Sequence, residues 1–222
     1  MPVKIDLHVH TTYSKDSVIT PKELVFYAKR SGLNAIAVTD HNSIEGALKI
    51  AKGTPEFLII PGTEISSSHG HIVGLNVRNK IPRNLSADET VELIHKEGGI
   101  AIACHPFAWL KGSVGKYVTA KFDAVEALNA SAFPFGLASR RARDLADQLG
   151  LPKVAGTDAH YGPVIGRAYT LIDAEPTIES VVGSIVKGKC EPQGAGLSPS
   201  LRIENQVRFL RKFLANRGQP AS

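Results

Sequence analysis

Short apolar runs recur along this chain, and most of them lead into a histidine or an acidic residue. Runs of four to eight apolar residues that are bounded by turn-forming residues predict buried β-strands. On this pattern we predict six such strands, over residues 3–10, 34–39, 57–60, 99–104, 122–129 and 153–157. The polar residues that follow them are therefore expected at strand ends rather than in the middle of loops.

Amphipathic helices are predicted between the strands, over residues 21–31, 43–52, 86–97 and 136–149. The first has Thr20 as its N-cap, Pro21 in its first turn and Gly32 after its end. Alternating strands and helices predict an α/β fold. Residues 53–77 hold two strands without a helix between them, the run over 57–60 and one more in addition to the six above. We therefore expect an irregular (β/α) barrel, a distorted TIM-like barrel with its active site at the C-terminal ends of the strands.

Residues 1–182 are predicted to form this barrel domain. Residues 183–222 are predicted to be a Gly- and Pro-rich linker, over 183–199, followed by an amphipathic basic helix over 201–217. The helix places Ile203, Val207, Leu210 and Leu214 on one face, which we expect to pack on the barrel. Binding of nucleic acid or of an acidic surface through its basic side chains is the alternative.

Composition adds little to this picture. The 222 residues include 26 basic and 21 acidic ones, a formal charge of +5 that favours anionic ligands only mildly. No apolar run approaches the ~20 residues of a membrane span and no signal-peptide pattern is visible, so we expect a cytoplasmic protein without a membrane partner. The two cysteines provide no disulfide framework. Cys104 is expected in the core, because strand alternation places it opposite His105.

The first predicted strand carries the sequence Asp6-Leu7-His8-Val9-His10. Because side chains alternate along a strand, Ile5, Leu7 and Val9 are expected on one face, and Asp6, His8 and His10 on the other. Further acidic and histidine residues follow the later strands: Asp40, His41, Glu64, His105, Asp158 and His160. Side chains of metal-ligand type at successive strand ends predict a metal site at one rim of the barrel.

In this order the motifs resemble the polymerase and histidinol phosphatase (PHP) family of metal-dependent phosphoesterases. The matching segments are His8-Val9-His10, Thr39-Asp40-His41, Pro61-Gly62-Thr63-Glu64, Gly70-His71-Ile72, His105-Pro106 and Gly156-Thr157-Asp158-Ala159-His160. The match spans residues 3–172, and residues 166–170 are similar to the small segment that often follows such domains. The resemblance implies a barrel of seven strands.

The resemblance also implies two or three divalent metal ions, of zinc, manganese or iron. Three ligand groups are implied: His8, His10, Glu64 and Asp158; Glu64, His71 and His105; and Asp16, His41 and His160. Glu64 then bridges two ions. The acidic residue after the His-x-His motif varies in spacing among relatives, so the third group depends on Asp16. The other two histidines, His69 and His95, are expected to be a spare loop residue and a solvated helix residue.

The sequence leaves more than one role open for several residues around these ligand groups. His41, His160 or a water held by the metals is expected to protonate the leaving oxygen. Asp40 is expected to be a hydrogen-bonding partner, either of a ligand or at the end of its strand, rather than a ligand itself. Asp6 either orients a ligating imidazole or only packs in the lumen. The candidate contacts for the substrate phosphate are Arg140, Arg141 and Arg167, with Lys116 as a further cation. Phe107 and Trp109 either stack on a base or close their loop.

The leading interpretation is a hydrolase that cleaves a phosphomonoester or a nucleotide or oligonucleotide phosphodiester by attack of a metal-activated water at phosphorus. Its partner is then a phosphorylated small molecule or a short oligonucleotide. A non-catalytic accessory or nucleic-acid-binding module on the same barrel is one alternative. An amidohydrolase acting on a C–N bond is another, because its first strand also begins with His-x-His.

Overall fold

Among the described residues, nine strands form one sheet that curls into a nearly closed barrel. The computed structural model describes residues 2–109 and 111–217, and its account of side chains ends at residue 208. The strands are β1 (Val3–Asp6), β2 (Ala35–Val38), β3 (Leu58–Ser67), β4 (Gly70–Leu75), β5 (Ile100–Ala103), β6 (Ala124–Asn129), β7 (Lys153–Gly156), β8 (Ala168–Ile172) and β9 (Cys190–Gly194). Their order in the sheet is β7-β6-β5-β4-β3-β2-β1-β8-β9.

The expected number of seven strands is wrong, because β8 and β9 are added at the edge of β1. Both pair antiparallel, β8 with β1 and β9 with β8. The sequence of β9 contains Pro192 and ends at Gly194, which hides a strand from a pattern search but is tolerated at a sheet edge. The segment predicted to be a linker, 183–199, therefore contains a strand of the sheet.

The barrel brings the ends of distant strands to one rim. β1, β2 and β3 are parallel neighbours, as are β5, β6 and β7, while β4 runs antiparallel between the two sets. A side chain links β8 to β7, because the hydroxyl of Thr170 in β8 accepts a hydrogen bond from the amide of Ala155 in β7 at 2.8 Å. Above the strand ends, Val9 forms a parallel bridge with Ala159. The segments after β1, β2, β5 and β7 and the start of β4 consequently meet.

The helices are α1 (Pro21–Arg30), α2 (Glu45–Gly53), α3 (Ala87–Lys96), α4 (Phe135–Leu149), α5 (Ile178–Val186) and α6 (Pro199–Arg217). α1 begins with a capping box, in which Thr20 and Glu23 each accept a hydrogen bond from the other's backbone amide. α4 ends at Gly150, whose φ of 66° is the left-handed conformation that glycine adopts readily. None of the helices in the described ranges is long and apolar enough to cross a membrane.

Apolar side chains of the described residues form two large clusters, one on each face of the barrel wall, and a small third cluster of Ala108, Ala132 and Ala138. The outer cluster packs wall residues such as Ile36 against α1 to α4, for example against Leu24. The inner cluster fills the lumen with side chains such as Ile5 and Ile60, and α5 contributes Ile185 to it. Burial of each such side chain contributes about 1.5–3 kcal/mol, so the lumen is a packed core that stabilises the barrel.

The expected alternation along residues 3–10 holds only to the end of β1. Ile5 and Leu7 belong to the inner cluster, whereas Val9 packs in the outer one. The prediction that Leu7 and Val9 share a face is therefore wrong, because the regular ladder of β1 ends at Asp6 and the two-residue period is interrupted there. Beyond this interruption the two-residue period holds again, and His8 and His10 lie on the same side of the chain.

α6 contacts the barrel through a residue that the predicted apolar face does not include. The guanidinium of Arg202 donates hydrogen bonds to carbonyl oxygens of the loop after β6. Ile203 and Val207 of the predicted face are 64% and 42% exposed. The side chains of Leu210 and Leu214, which complete that face, lie outside the described residues.

Candidate metal centre

All nine side chains that were expected to be metal ligands meet at the rim of the barrel. They are His8 and His10 after β1, Asp16 before α1, His41 after β2, Glu64 in β3, His71 in β4, His105 after β5, and Asp158 and His160 after β7. Five of them are buried, namely His8, His10, Glu64, His105 and Asp158. The others are partly exposed to a cavity above the cluster.

Glu64 lies at the centre of the cluster. Its Oε1 is 2.9 Å from His71 Nδ1 and 3.0 Å from His105 Nε2. Its Oε2 is 2.9 Å from His41 Nδ1 and 3.3 Å from His10 Nε2. Burial opposes ionisation, but the surrounding histidines hold the pKa of Glu64 well below its usual range. The two oxygens of one carboxylate therefore face two different groups of imidazoles, as a bridging ligand requires.

The two aspartates of the cluster also face histidines. Asp158 Oδ1 is 3.4 Å from His10 Nε2 and 3.6 Å from His160 Nδ1. Asp16 Oδ2 is 3.2 Å from His41 Nε2 and 3.3 Å from His160 Nε2. Asp16, whose spacing after the His-x-His motif varies among relatives, thus lies between the two histidines with which it was grouped.

Unusual backbone geometry directs two of these side chains into the rim. His105 has a φ of 33° and Asp158 a φ of 56°, in the left-handed region that non-glycine residues seldom adopt. Such a conformation costs roughly 1–3 kcal/mol and persists only where neighbours hold it. The His105 amide donates a 2.7 Å hydrogen bond to Glu126 Oε2, and the Asp158 amide donates a 2.8 Å bond to the His8 carbonyl. Strain of this kind is typical of functional sites.

Glu126 of β6 is a functional candidate that the sequence patterns missed. Its Oε1 lies 3.2 Å from His8 Nδ1, and its Oε2 also accepts a 2.9 Å hydrogen bond from Asn129. A carboxylate on the second ring nitrogen fixes the orientation of an imidazole and increases its basicity as a ligand. The sequence contained one signal for this role, which was an acidic residue inside an otherwise apolar strand. A charged residue at such a position is buried only when it has partners.

Asp40 and Asp6 accept hydrogen bonds from backbone amides and from hydroxyl groups, and none of their described hydrogen bonds involves an imidazole ring. Asp40 accepts hydrogen bonds from Thr11 and from Ser14 Oγ, which is 3.4 Å from His10 Nδ1. Asp6 accepts hydrogen bonds from the backbone amides of residues 8, 157 and 166, and burial raises its pKa to about 6. Of the two roles that the sequence left open for Asp6, these contacts do not include a bond to a ligating imidazole and favour a packing role.

The donor set fits divalent metal ions. Six buried polar atoms of the cluster make no hydrogen bond of acceptable geometry with the described residues, although several face another atom of the cluster closely: His8 Nε2, His10 Nε2, Asp16 Oδ1, Glu64 Oε2, His71 Nδ1 and His105 Nδ1. Each such atom costs about 1–3 kcal/mol if nothing binds it. The facing nitrogen and oxygen atoms are 2.9–3.8 Å apart, as expected for ligands that share an ion at about 2.0–2.2 Å. Zinc, iron and manganese accept such mixed imidazole and carboxylate sets.

Cys104 is buried in the inner cluster, but it does not lie opposite the site. Its Sγ is 3.5 Å from Glu64 Oε1. The expected alternation between Cys104 and His105 is wrong, because β5 ends at Ala103 and the left-handed backbone at His105 turns the chain. Burial raises the pKa of the thiol, so the uncharged sulfur packs beside the centre.

Comparison with known proteins identifies the family. The PHP domain matches residues 6–112, and the PHP-associated segment matches residues 136–190. An uncharacterized protein of Methanocaldococcus jannaschii is 38% identical over 141 residues, which cover 58% of this chain and 82% of that protein.

The chain belongs to the PHP domain family. Among its relatives, a 5'-3' exoribonuclease of Haemophilus influenzae is 34% identical over 108 residues, 46% of this chain and 39% of the relative. The crystal structure of PsfC from Pseudomonas syringae superposes with a TM-score of 0.72 at 18% identity, over 95% of this chain and 98% of PsfC. The structural likeness establishes a shared fold.

The cavity above the candidate ligands of this PHP chain contains a cation that sequence reasoning missed. Lys111 contacts the Asp158 carboxylate and lines the cavity, which has a volume of about 430 Å³. Burial disfavours the ammonium, but Asp158 and neighbouring carboxylates outweigh it and raise the pKa of Lys111. Lys111 lies in the irregular segment after β5, where no periodicity indicates which side chain points inward.

The arginines that were expected to contact substrate phosphate lie elsewhere in this PHP chain. Arg140, Arg141 and Arg167 are exposed, and none lines the cavity in the described part of the chain. Arg140 and Arg141 are solvated because the buried face of α4 is formed by small residues such as Ala138 and Ala142. Lys116 is likewise exposed.

The two spare histidines lie outside the ligand cluster, as expected. His69 stacks on Tyr117 with ring centroids 3.8 Å apart, and its Nδ1 accepts a hydrogen bond from the amide of Ala87. His95 Nε2 is 2.7 Å from Asp123 Oδ2 on the outside of the barrel. Both have structural partners that account for them.

Proposed function

We propose that this PHP chain is a metal-dependent phosphoesterase that hydrolyses a phosphomonoester or a nucleotide or oligonucleotide phosphodiester. The convergence of nine imidazole and carboxylate side chains beneath one cavity carries the proposal. A scaffold gains nothing from so many buried polar atoms without partners, whereas a metal centre requires them. The similarity to a relative named as a 5'-3' exoribonuclease supports the same reaction class.

Three groups of side chains would hold the ions: His8, His10, Glu64 and Asp158; Glu64, His71 and His105; and Asp16, His41 and His160. Ions bound there supply charge neutralisation at the phosphoryl group and an activated water for attack at phosphorus. Glu64 belongs to two groups, so its loss affects both. Glu126 and Asp40 keep His8 and His10 oriented, the first by direct contact and the second through Ser14.

Lys111 supplies the positive charge for the phosphate. Its ammonium is held at the cavity wall by Asp158, and in that position it faces the space that a phosphoryl group must enter. A charge-assisted hydrogen bond to a phosphate oxygen orients the ester for attack.

Protonation of the leaving oxygen falls to His41 or His160 if the centre holds two ions rather than three. These side chains are 26% and 18% exposed and line the cavity, whereas His8 and His10 are buried. Both contact Asp16 Oδ2 through Nε2, so an Nε2 proton is shared with that carboxylate until a leaving group accepts it.

A substrate panel tests the proposal. The purified protein, supplied separately with manganese, zinc and ferrous ions, is incubated with p-nitrophenyl phosphate, mononucleotides, a dinucleotide and histidinol phosphate. We expect metal-dependent cleavage of at least one ester by the wild type and none by the Glu64→Ala variant. Absence of cleavage for every ester with every metal would contradict the proposal.

A further inference from the structure

A second cavity opens beside the metal centre, and nothing in the proposed chemistry uses it. It has a volume of about 200 Å³ and shares Lys111, Asp158 and His160 with the main cavity. Its far side is formed by Phe133 from the loop after β6 and by residues of α6. A ligand whose phosphate lies at the metal ligands can therefore extend into this second space.

α6 is held beside the cavity by Arg202. The guanidinium donates hydrogen bonds to the carbonyl oxygens of Ser131 at 3.1 Å, Ala132 at 2.8 Å and Leu197 at 3.2 Å. Leu201 packs against the outer cluster next to it. Because its donors are used by backbone carbonyls, Arg202 acts as an anchor for the helix and is not free to bind a phosphate.

The anchor determines which side chains of α6 face the cavity. Residues three and four positions apart share a helix face, so docking Arg202 on the rim turns Asn205 and Gln206 towards the barrel. Both line the main cavity and the second one. No hydrogen bond described for the chain engages either amide, and two amides without a protein partner at a cavity wall can donate to and accept from a ligand.

An aromatic ring completes the wall. Phe133 lines the second cavity and is 55% exposed, and Trp109 meets it edge to face with ring centroids 6.2 Å apart. The Arg202 guanidinium lies over the same ring, 5.7 Å from its centroid. An exposed flat ring beside hydrogen-bonding amides fits a planar heteroaromatic group, because stacking and amide contacts to base edges are how proteins recognise nucleobases.

We propose that Phe133, Asn205 and Gln206 form a nucleobase subsite, which binds the base of a nucleotide whose phosphate lies at the metal centre. The subsite rests on the proposed function for its role in catalysis, but binding of a base is a separate property of these side chains. A free nucleotide and the terminal nucleotide of an oligonucleotide present the same base, and both are therefore candidate sources.

The test compares a double variant, Asn205→Ala with Gln206→Ala, with the control Glu204→Ala on the opposite face of the same helix. Each full-length protein is assayed with adenosine 5'-monophosphate, the dinucleotide ApA and glycerol 3-phosphate, which has no base. We expect the double variant to lose about tenfold in kcat/KM on the two nucleotides, as one good amide-to-base contact supplies, and less than twofold on glycerol 3-phosphate. The control should match the wild type, and the nucleotide with the larger kcat/KM identifies the source of the base.

Calorimetric titration of adenosine into the metal-free proteins separates this proposal from the proposed function. Binding to the wild type and to Glu204→Ala that is weakened about tenfold in the double variant supports the subsite even if no phosphate ester is cleaved. Equal losses on nucleotides and glycerol 3-phosphate, unchanged kinetics in the double variant, or no adenosine binding by the wild type would each overturn it.

Discussion

The lumen and the rim of the barrel are built from the same strands with opposite chemistry. In β3, Ile60 is fully buried in the inner cluster, while Glu64, four residues later, is equally buried among histidines. The lumen stabilises the fold by excluding water, and its side chains need only fill space. The rim collects buried polar atoms that oppose folding until a ligand binds them. Stability and function are therefore expected to be separable along one strand.

The largest effect should come from Glu64→Gln, which keeps the side-chain volume but removes the charge shared by two ligand groups. Metal stabilisation of the transition state is worth several kcal/mol, and each ~1.4 kcal/mol is a factor of ten, so kcat should fall by about 10³-fold or more. Turnover is measured on the best ester of the panel, and circular dichroism should show an unchanged fold. Activity within tenfold of the wild type would remove Glu64 from the centre.

The reciprocal substitution in the lumen is Ile60→Ala. Removal of this buried side chain leaves a cavity and should lower the free energy of unfolding by about 2–5 kcal/mol. Turnover per folded molecule should stay within about twofold, because no polar contact at the rim involves Ile60. Urea denaturation followed by fluorescence, together with kinetics at low temperature, provides the two values. A variant that unfolds like the wild type but no longer turns over substrate would show that stability and function are not separable between lumen and rim.

A smaller effect, on metal affinity, is expected from Glu126→Gln. This substitution tests whether an acidic residue inside an apolar strand orients a histidine of the rim. The carboxylate of Glu126 lies on His8 Nδ1, so the neutral amide should weaken metal affinity by about 10–100-fold. The matched control is Asp123→Asn, which alters a carboxylate on His95 outside the centre. Competition with a metal-binding dye measures both. Equal affinities in the two variants would show that Glu126 only packs.

The smallest of the four effects should follow Lys111→Met at the cavity wall. Loss of one charge-assisted contact to phosphate should raise KM about tenfold with a smaller change in kcat. Lys116→Met is the control, because Lys116 is exposed in the same segment and does not line the cavity. Identical kinetics for the two variants would assign phosphate binding to other groups.

The candidate ligands were predictable from the sequence because most of them lie at or near a strand end, and the order of the motifs matched a family. The barrel class and the bounds of α1 to α4 followed from apolar periodicity in the same way, whereas α5 was not predicted. Glu126 and Lys111 were missed for different reasons: the first lies inside a strand with an otherwise apolar pattern, and the second in a segment without any period. Pattern alone also missed β9, whose proline and glycine resemble a linker.

The left-handed backbone at two strand ends explains why strict alternation failed near the site. At Cys104 and His105 the two-residue period predicts opposite faces, yet both side chains approach Glu64. Local propensity opposes this geometry, and the tertiary contacts of Glu126 and His8 maintain it. Such departures are expected where a chain orders its functional groups at a cost in local conformation.

Anomalous diffraction from crystals soaked in manganese shows whether the nine side chains at the rim bind metal ions. We expect two or three anomalous peaks beneath the cavity, one of them within bonding distance of both Glu64 and His10, and loss of the shared peaks in Glu64→Gln crystals. A map without peaks among the nine side chains, or with manganese bound only at other places, would contradict it.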